Sequence, residues 1–144
     1  LYSRQNIDLD HGLAILAPQF PDYLFTRDTV AREIALDPAL QTLPTADFLD
    51  QVGLNSNLGQ NNPHSLSSGQ RRRLALALVL FSGRQFLLLD EPTAALDWQG
   101  RQMVLSLLTN LPPEVVLLIA SHDRQFLASA GCSLLNLDDH SLDT

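Results

Sequence analysis

Phe86-Leu-Leu-Leu-Asp-Glu-Pro-Thr93 holds four consecutive apolar residues that stop abruptly at two carboxylates and a proline. A run so short and so apolar fits a strand buried on both faces, and the six-residue run from Val115 to Ala120, stopped by Ser121-His122-Asp123, repeats the pattern. Between the two, Asp97 is placed to cap a helix through Leu108. Beyond them, Asp123 to Ala130 predicts a short helix and Cys132 to Leu137 a last strand. Working back toward the start, Ser67 followed three residues later by Gln70 fits a capping box, and Leu74, Leu78 and Phe81 share one face of a helix from Ser67 to Phe81. Asn55 to Pro63 reads as a loop, while Thr45 to Val52, with Gly53 as its cap, and Thr26 to Leu36 read as modest helices. Gly12 to Ala17, ended by Pro18-Gln19, suits a buried strand. Strands alternating with helices predict an α/β layer.

Composition narrows the class. A chain of 144 residues and 15.9 kDa is one domain's worth of length. All nine basic residues are arginine, and against 16 acidic residues they leave a net charge of −7. That balance argues against a general binder of phosphate backbones, so no nucleic-acid partner is expected. The longest unbroken apolar run, Leu74 to Phe81, has eight residues, whereas a membrane-spanning helix needs about 20. Cys132 has no second cysteine to pair with, which suits a reducing compartment. A chain that opens at Leu1 on a polar stretch is expected to be a piece of something longer.

Two groups of residues carry chemistry. In open parallel sheets ligands bind beyond the carboxyl ends of the strands, which places Asp90, Glu91 and His122 where they can share one site. An adjacent Asp-Glu pair there suits phosphoryl chemistry, because one carboxylate can hold the hydration shell of Mg²⁺ while the next orients or deprotonates a water. Taken alone, the pair is equally well explained as a strand leaving into polar residues. The second group is Leu66-Ser-Ser-Gly-Gln70, which opens a helix whose N–H groups and dipole can bind an anion. Taken alone, it is an ordinary capping box.

Order and spacing add what each element lacks. Gln19, Leu66-Ser-Ser-Gly-Gln70, Phe86-Leu-Leu-Leu-Asp-Glu-Pro-Thr93, Ala95-Leu-Asp97 and Ser121-His122-Asp123 together resemble the ATP-binding-cassette ATPases over nearly the whole chain. The resemblance implies a P-loop NTPase-type α/β core, N-terminally incomplete, with an inserted α-helical subdomain. It divides the chain into core at 1–25, ending in the glutamine loop, helical subdomain with the signature at 26–82, and core with Walker B, D-loop and switch histidine at 83–144. ATP and Mg²⁺ are the implied cofactors. Asp90 is implied to hold Mg²⁺ with Gln19 as its sensor, Glu91 to act as general base, and His122 to contact the γ-phosphate. Asp97 is implied to cross a dimer interface, and Ser67, Ser68, Gly69 and Gln70 to touch ATP held by a second protomer, identical or not.

Three departures qualify the resemblance. Ser68 stands where the family usually has glycine, and Ala94-Ala95 replaces a segment that often carries serine. Backbone donors survive both changes. The family's phosphate loop, Gly-x-x-x-x-Gly-Lys-Ser/Thr, needs a lysine, and these residues contain none. Truncation before Leu1 is the expected reason and a natural degenerate copy the alternative. Either way this chain alone is expected to be inactive, and marginal or aggregation-prone when isolated.

The stretch from Gln19 to Val30 is similar to the glutamine-loop segment of energy-coupling-factor and cobalt-type importers. That implies an ATPase on the inner face of the cell membrane, driving vitamin or metal-ion uptake, with a transmembrane subunit docked around Gln19, Tyr23 and Phe25. Tyr23 and Phe25 fit equally well as hydrophobic anchors for the next helix. Ser121-His-Asp-Arg-Gln-Phe-Leu127 resembles the soluble, translation-associated branch instead, and a non-hydrolysing half-site is a third reading. Arg71, Arg72 and Arg73 read as a solvated, signature-flanking side of the helix. His11, His64 and His140 read as exposed, and Trp98 as packing.

Overall fold

A computed structural model describes residues 14–136 and 141–143, with side chains for 14–133. Three parallel strands, β1 (Ala14–Ala17), β2 (Phe86–Asp90) and β3 (Val116–Ala120), form one sheet in the order β1-β2-β3. Ile15, Leu87 and Leu117 share a register row, as do Ala17, Leu89 and Ile119, and both rows face one way. Against that face pack α4 (Trp98–Thr109), α5 (Arg124–Ser129) and the sheet side of α3 (Ser68–Leu80), burying Leu76, Val79, Val104 and Phe126 with Leu87 and Leu89. This is the α/β layer with a parallel sheet expected from the sequence. The first predicted strand begins at Gly12, and residues 12 and 13 lie outside the described residues, as do His11 and His140.

A second core lies between α3 and two short helices, α1 (Val30–Ile34) and α2 (Thr45–Gln51). Val30, Ile34, Phe48, Leu49 and Val52 close on Leu74 and Ala77. One helix can serve both cores because its stripes differ: Leu76 and Leu80 point to the sheet, Leu74 and Ala77 to the small helices. The capping box forms as the sequence predicts, the Ser67 hydroxyl accepting from Gln70 N–H and the Gln70 carboxamide from Ser67 N–H. Asp97 and Asp123 cap α4 and α5 through Gly100 N–H and Phe126 N–H. Gly53 follows α2 at φ +65, a conformation that glycine adopts at no steric cost.

Three expectations need correction. The first small helix starts at Val30 rather than Thr26, because the buried Glu33 carboxylate accepts the N–H groups of Thr26 and Arg27 and holds that segment in a bend ahead of Thr29, which caps α1. The last predicted strand is β4 (Leu134–Asn136), paired antiparallel with β5 (Ser141–Asp143) in a separate two-stranded sheet. Most consequential, β2 and β3 are not buried on both faces. Leu16, Phe86, Val116 and Leu118 lie on the far side of the sheet at 50%, 39%, 54% and 62% exposure. Apolar residues on both faces demand cover on both, and the described residues cover one. We expect the isolated 144 residues to bind the dye ANS and to melt without a cooperative transition; a sharp thermal transition with no dye binding would contradict this.

Candidate functional site

At the carboxyl edge of the sheet the chain leaves β2 through Glu91, whose φ of +46 costs a non-glycine residue about 1–2 kcal/mol. Its surroundings hold it there. The Glu91 N–H donates to the Ala120 carbonyl at 2.8 Å, extending the β2–β3 ladder by one step. Its carboxylate accepts from the Ser121 hydroxyl and the His122 N–H, both at 3.0 Å, and its carbonyl accepts from Arg72. The His122 imidazole Nε2 lies 3.7 Å from the Glu91 Oε1 and is otherwise exposed to solvent. Backbone strain held in place by this many bonds is a mark of functional sites.

Gln19, Asp90, Glu91, Ser121 and His122 line one cleft of about 740 Å³, floored by Leu118 and Leu127. Four residues predicted to work together are thereby brought together. Asp90 shares a register row with Ala120 and so lies on the uncovered side of the sheet. Cys132 also lines the cleft, its thiol pushed up by burial and so held in the unreactive protonated form at neutral pH. A second cavity, about 480 Å³ between Leu80, Leu107, Leu111 and Val115, gathers none of the predicted residues.

The signature residues are elsewhere. Ser67, Ser68, Gly69 and Gln70 do not line the cleft; they open α3 beside the loop after β2, where a Cβ on Gly69 would sit 3.7 Å from the Ala95 carbonyl. The capping box uses the N–H groups of Ser67 and Gln70, and helix geometry leaves those of Ser68 and Gly69 without an intrahelical acceptor. Asp97, whose carboxylate accepts Gly100 N–H at 2.7 Å, fixes the start of α4 immediately after this loop.

The arginine run differs from its expected solvated role. Arg71 sits 3.1 Å from the Asp22 carboxylate and donates to the Leu66 carbonyl at 2.5 Å, and Arg73 donates to the Gly53 carbonyl at 2.7 Å. Arg72 is buried, its guanidinium donating at 2.6 Å to each of the carbonyls of Pro18, Gln19 and Asp90, and also to that of Glu91. Burial pulls this guanidinium below its ordinary pKa, while the charges of Asp90 and Glu91 act in the opposite sense. Arg72 stands four and eight residues before Leu76 and Leu80, on one helical stripe, and the sheet packed against that stripe is what buries it.

Phe25 is buried and packs edge-on against His64, so of the two aromatics it is the anchor; Tyr23, 82% exposed, remains accessible. His64 is half-exposed, 3.6 Å from Asp22. Trp98, expected to pack, is 69% exposed at the first position of α4.

The family profile described as ABC transporter matches residues 4–94. The chain belongs to the ABC transporter family. It is 39% identical over 121 residues to ABC transporter I family member 11, chloroplastic, of Arabidopsis thaliana, a match covering 77% of this chain and 44% of that protein. It is 36% identical over 131 residues to the energy-coupling factor transporter ATP-binding protein EcfA2 of Lactiplantibacillus plantarum, covering 83% and 44% respectively. Among solved structures it resembles cbiO1 of Clostridium perfringens, part of the ABC transporter complex cbiONQ, with a TM-score of 0.60 and 30% identity over 85% of this chain and 52% of that one. A dimeric ATP-binding cassette in a post-hydrolysis state, bound to ADP and Pi, gives a TM-score of 0.68 over 86% of this chain and 61% of that one; at 22% identity it shows the shared cassette fold. This ABC family chain spans less than half the length of the two curated relatives.

Proposed function

We propose that the chain is the signature, Walker B and switch portion of an ABC transporter ATPase that hydrolyses Mg²⁺-bound ATP between two protomers, identical or not, and drives micronutrient uptake. The observation that carries the reading is the single cleft joining Gln19, Asp90, Glu91 and His122 at the carboxyl edge of a parallel sheet. The chain's likeness to an energy-coupling factor transporter ATP-binding protein and to part of an ABC transporter complex supports the transport branch; a vitamin or metal ion as cargo is what the resemblance of the Gln19 to Val30 stretch implies.

The donor set fits Mg²⁺. Among the described residues no three His, Cys, Asp or Glu side chains could enclose a metal, and Mg²⁺ needs no such cage, because it keeps waters and leans on one or two carboxylates and the substrate's phosphates. Asp90 and Gln19 are the residues to hold it, and when bound it neutralises the charge that develops on the phosphates. Glu91, fixed by Ser121 and the His122 backbone, accepts the proton of the attacking water, and the His122 imidazole beside it contacts the γ-phosphate. The N–H groups of Ser68 and Gly69, set away from that cleft, bind the γ-phosphate of ATP held by the other protomer; Asp97 lies at the crossing between the two. The lysine of a phosphate loop is absent from these 144 residues, so alone they hydrolyse no ATP and the full-length protein is the unit for assay.

In this reading residues 1–25 and 83–144 belong to the ATPase core and 26–82 to a helical subdomain, supported by the two separate apolar clusters. The exposed Tyr23, within the single 3-10 turn Pro21–Leu24 that follows Gln19, gives a transmembrane partner its contact on the inner face of the membrane. Among the described residues no helix is long and apolar enough to cross a membrane. The full-length protein is expected to co-purify with membranes and hydrophobic subunits, and Tyr23→Ala to loosen that association while leaving the fold intact. Salt-sensitive sedimentation with ribosomes in place of membranes would overturn the transport reading in favour of the soluble branch.

A further inference from the structure

Arg72 touches four backbone carbonyls and no side-chain acceptor. Those carbonyls belong to two different loops, Pro18 and Gln19 at the exit of β1, Asp90 and Glu91 at the exit of β2. The β1–β2 ladder ends at the pair Ala17 and Leu89, so the next carbonyls along each strand have lost their ladder partners, and the guanidinium supplies donors in their place. The base of that guanidinium, Nε, is buried without a partner. Such a group is costly to bury, and a helix that needed only to pack would present another leucine here, as it does at Leu76 and Leu80.

We propose that Arg72 is a positioning residue that locks the signature helix to the backbone of both Gln19 and Glu91, so that α3 and the two loops bearing the Mg²⁺ and water ligands move as one body. The inference rests on the ATPase reading above and deepens it. Arg72 stands two residues after the signature's Gln70 and its fork ends on the carbonyl of Glu91, the residue held at φ +46. Engagement of Ser68 and Gly69 by the other protomer's ATP then reaches Glu91 through a single side chain. The neighbouring Arg71 adds a tie to the Gln19 side alone, through Asp22, three residues beyond Gln19.

The test uses the full-length ATPase with Arg72→Lys and Arg72→Gln. Lysine keeps the charge but concentrates its donors at one atom, and glutamine keeps a planar amide with two; neither spans four carbonyls. Occupied sites are counted by titration with a non-hydrolysable ATP analogue and hydrolysis is expressed per occupied site. A fall in kcat of at least about tenfold per occupied site, with KM changed by less than about threefold, is the expected result in both variants. A residue that merely supports the fold would lower the melting temperature and the number of occupied sites and leave kcat per site intact, and that result overturns the proposal even if only Arg72→Lys folds. Wild-type protein that binds no analogue and hydrolyses no ATP overturns the inference together with the ATPase reading; a wild type that hydrolyses normally beside unaffected variants overturns the inference alone.

Discussion

Replacing Glu91 by glutamine is expected to abolish steady-state hydrolysis by the full-length protein, by a factor on the order of 10³, while ATP still binds. The substitution keeps the shape of the side chain and its acceptor contact to the His122 N–H, now made at 3.0 Å, so the strained turn at φ +46 persists. What disappears is a basic oxygen at the mouth of the cleft. Removing the His122 imidazole instead is expected to cost less, because it lies 3.7 Å from the carboxylate and carries no share of the turn's hydrogen bonds through its ring. Hydrolysis that survives Glu91→Gln within a factor of a few would mean that the proton goes elsewhere, and the half-site reading would gain the ground the ATPase reading lost.

Phe48→Ala is expected to have the largest effect on stability. Phe48 is fully buried in the helical core, and its ring meets that of Phe81 edge-on at 5.6 Å. Phe81 in turn packs against both apolar clusters, so a cavity at Phe48 loosens the joint between the small helices and the sheet. A buried Phe→Ala change costs about 3–5 kcal/mol, against a total of about 5–15 kcal/mol for a folded domain. The urea midpoint of the full-length protein should drop accordingly. Trp98→Ala, at an exposed position, is the control, expected to stay within about 0.5 kcal/mol of wild type. Equal midpoints for the two variants would contradict the packing described for Phe48.

Local chemistry made much of this legible without coordinates. The capping box at Ser67 and Gln70 and the caps at Asp97 and Asp123 announce themselves because each depends on residues three apart. The two apolar runs ending in Leu89 and Ala120 marked the strands, and the parallel register then brought Asp90, Glu91 and His122 to one edge. What failed depended on partners distant in sequence. An apolar run states that a strand's faces want cover, and says nothing of which element supplies it, so the exposure of Val116 and Leu118 was invisible. Three consecutive arginines spread over three directions around a helix, and only the placement of the sheet selects Arg72 as the buried one. Glu33 likewise shortened the first small helix by reaching back to Thr26 and Arg27, a competition that apolar spacing does not register.

In the proposed dimer the cleft and the signature of one chain serve two different ATP molecules. Sedimentation velocity of full-length Glu91→Gln protein, with and without Mg²⁺-ATP, tests it most directly, and Ser68→Asp added to that protein supplies the contrast, because a carboxylate beside the α3 N–H groups repels a γ-phosphate. Mg²⁺-ATP is expected to drive Glu91→Gln cassettes into dimers, with a like copy or a sibling cassette, and Ser68→Asp to leave ATP binding intact while the protein stays monomeric. Dimers that form equally well with Ser68→Asp, or ATP-saturated Glu91→Gln protein that never dimerises, would contradict it.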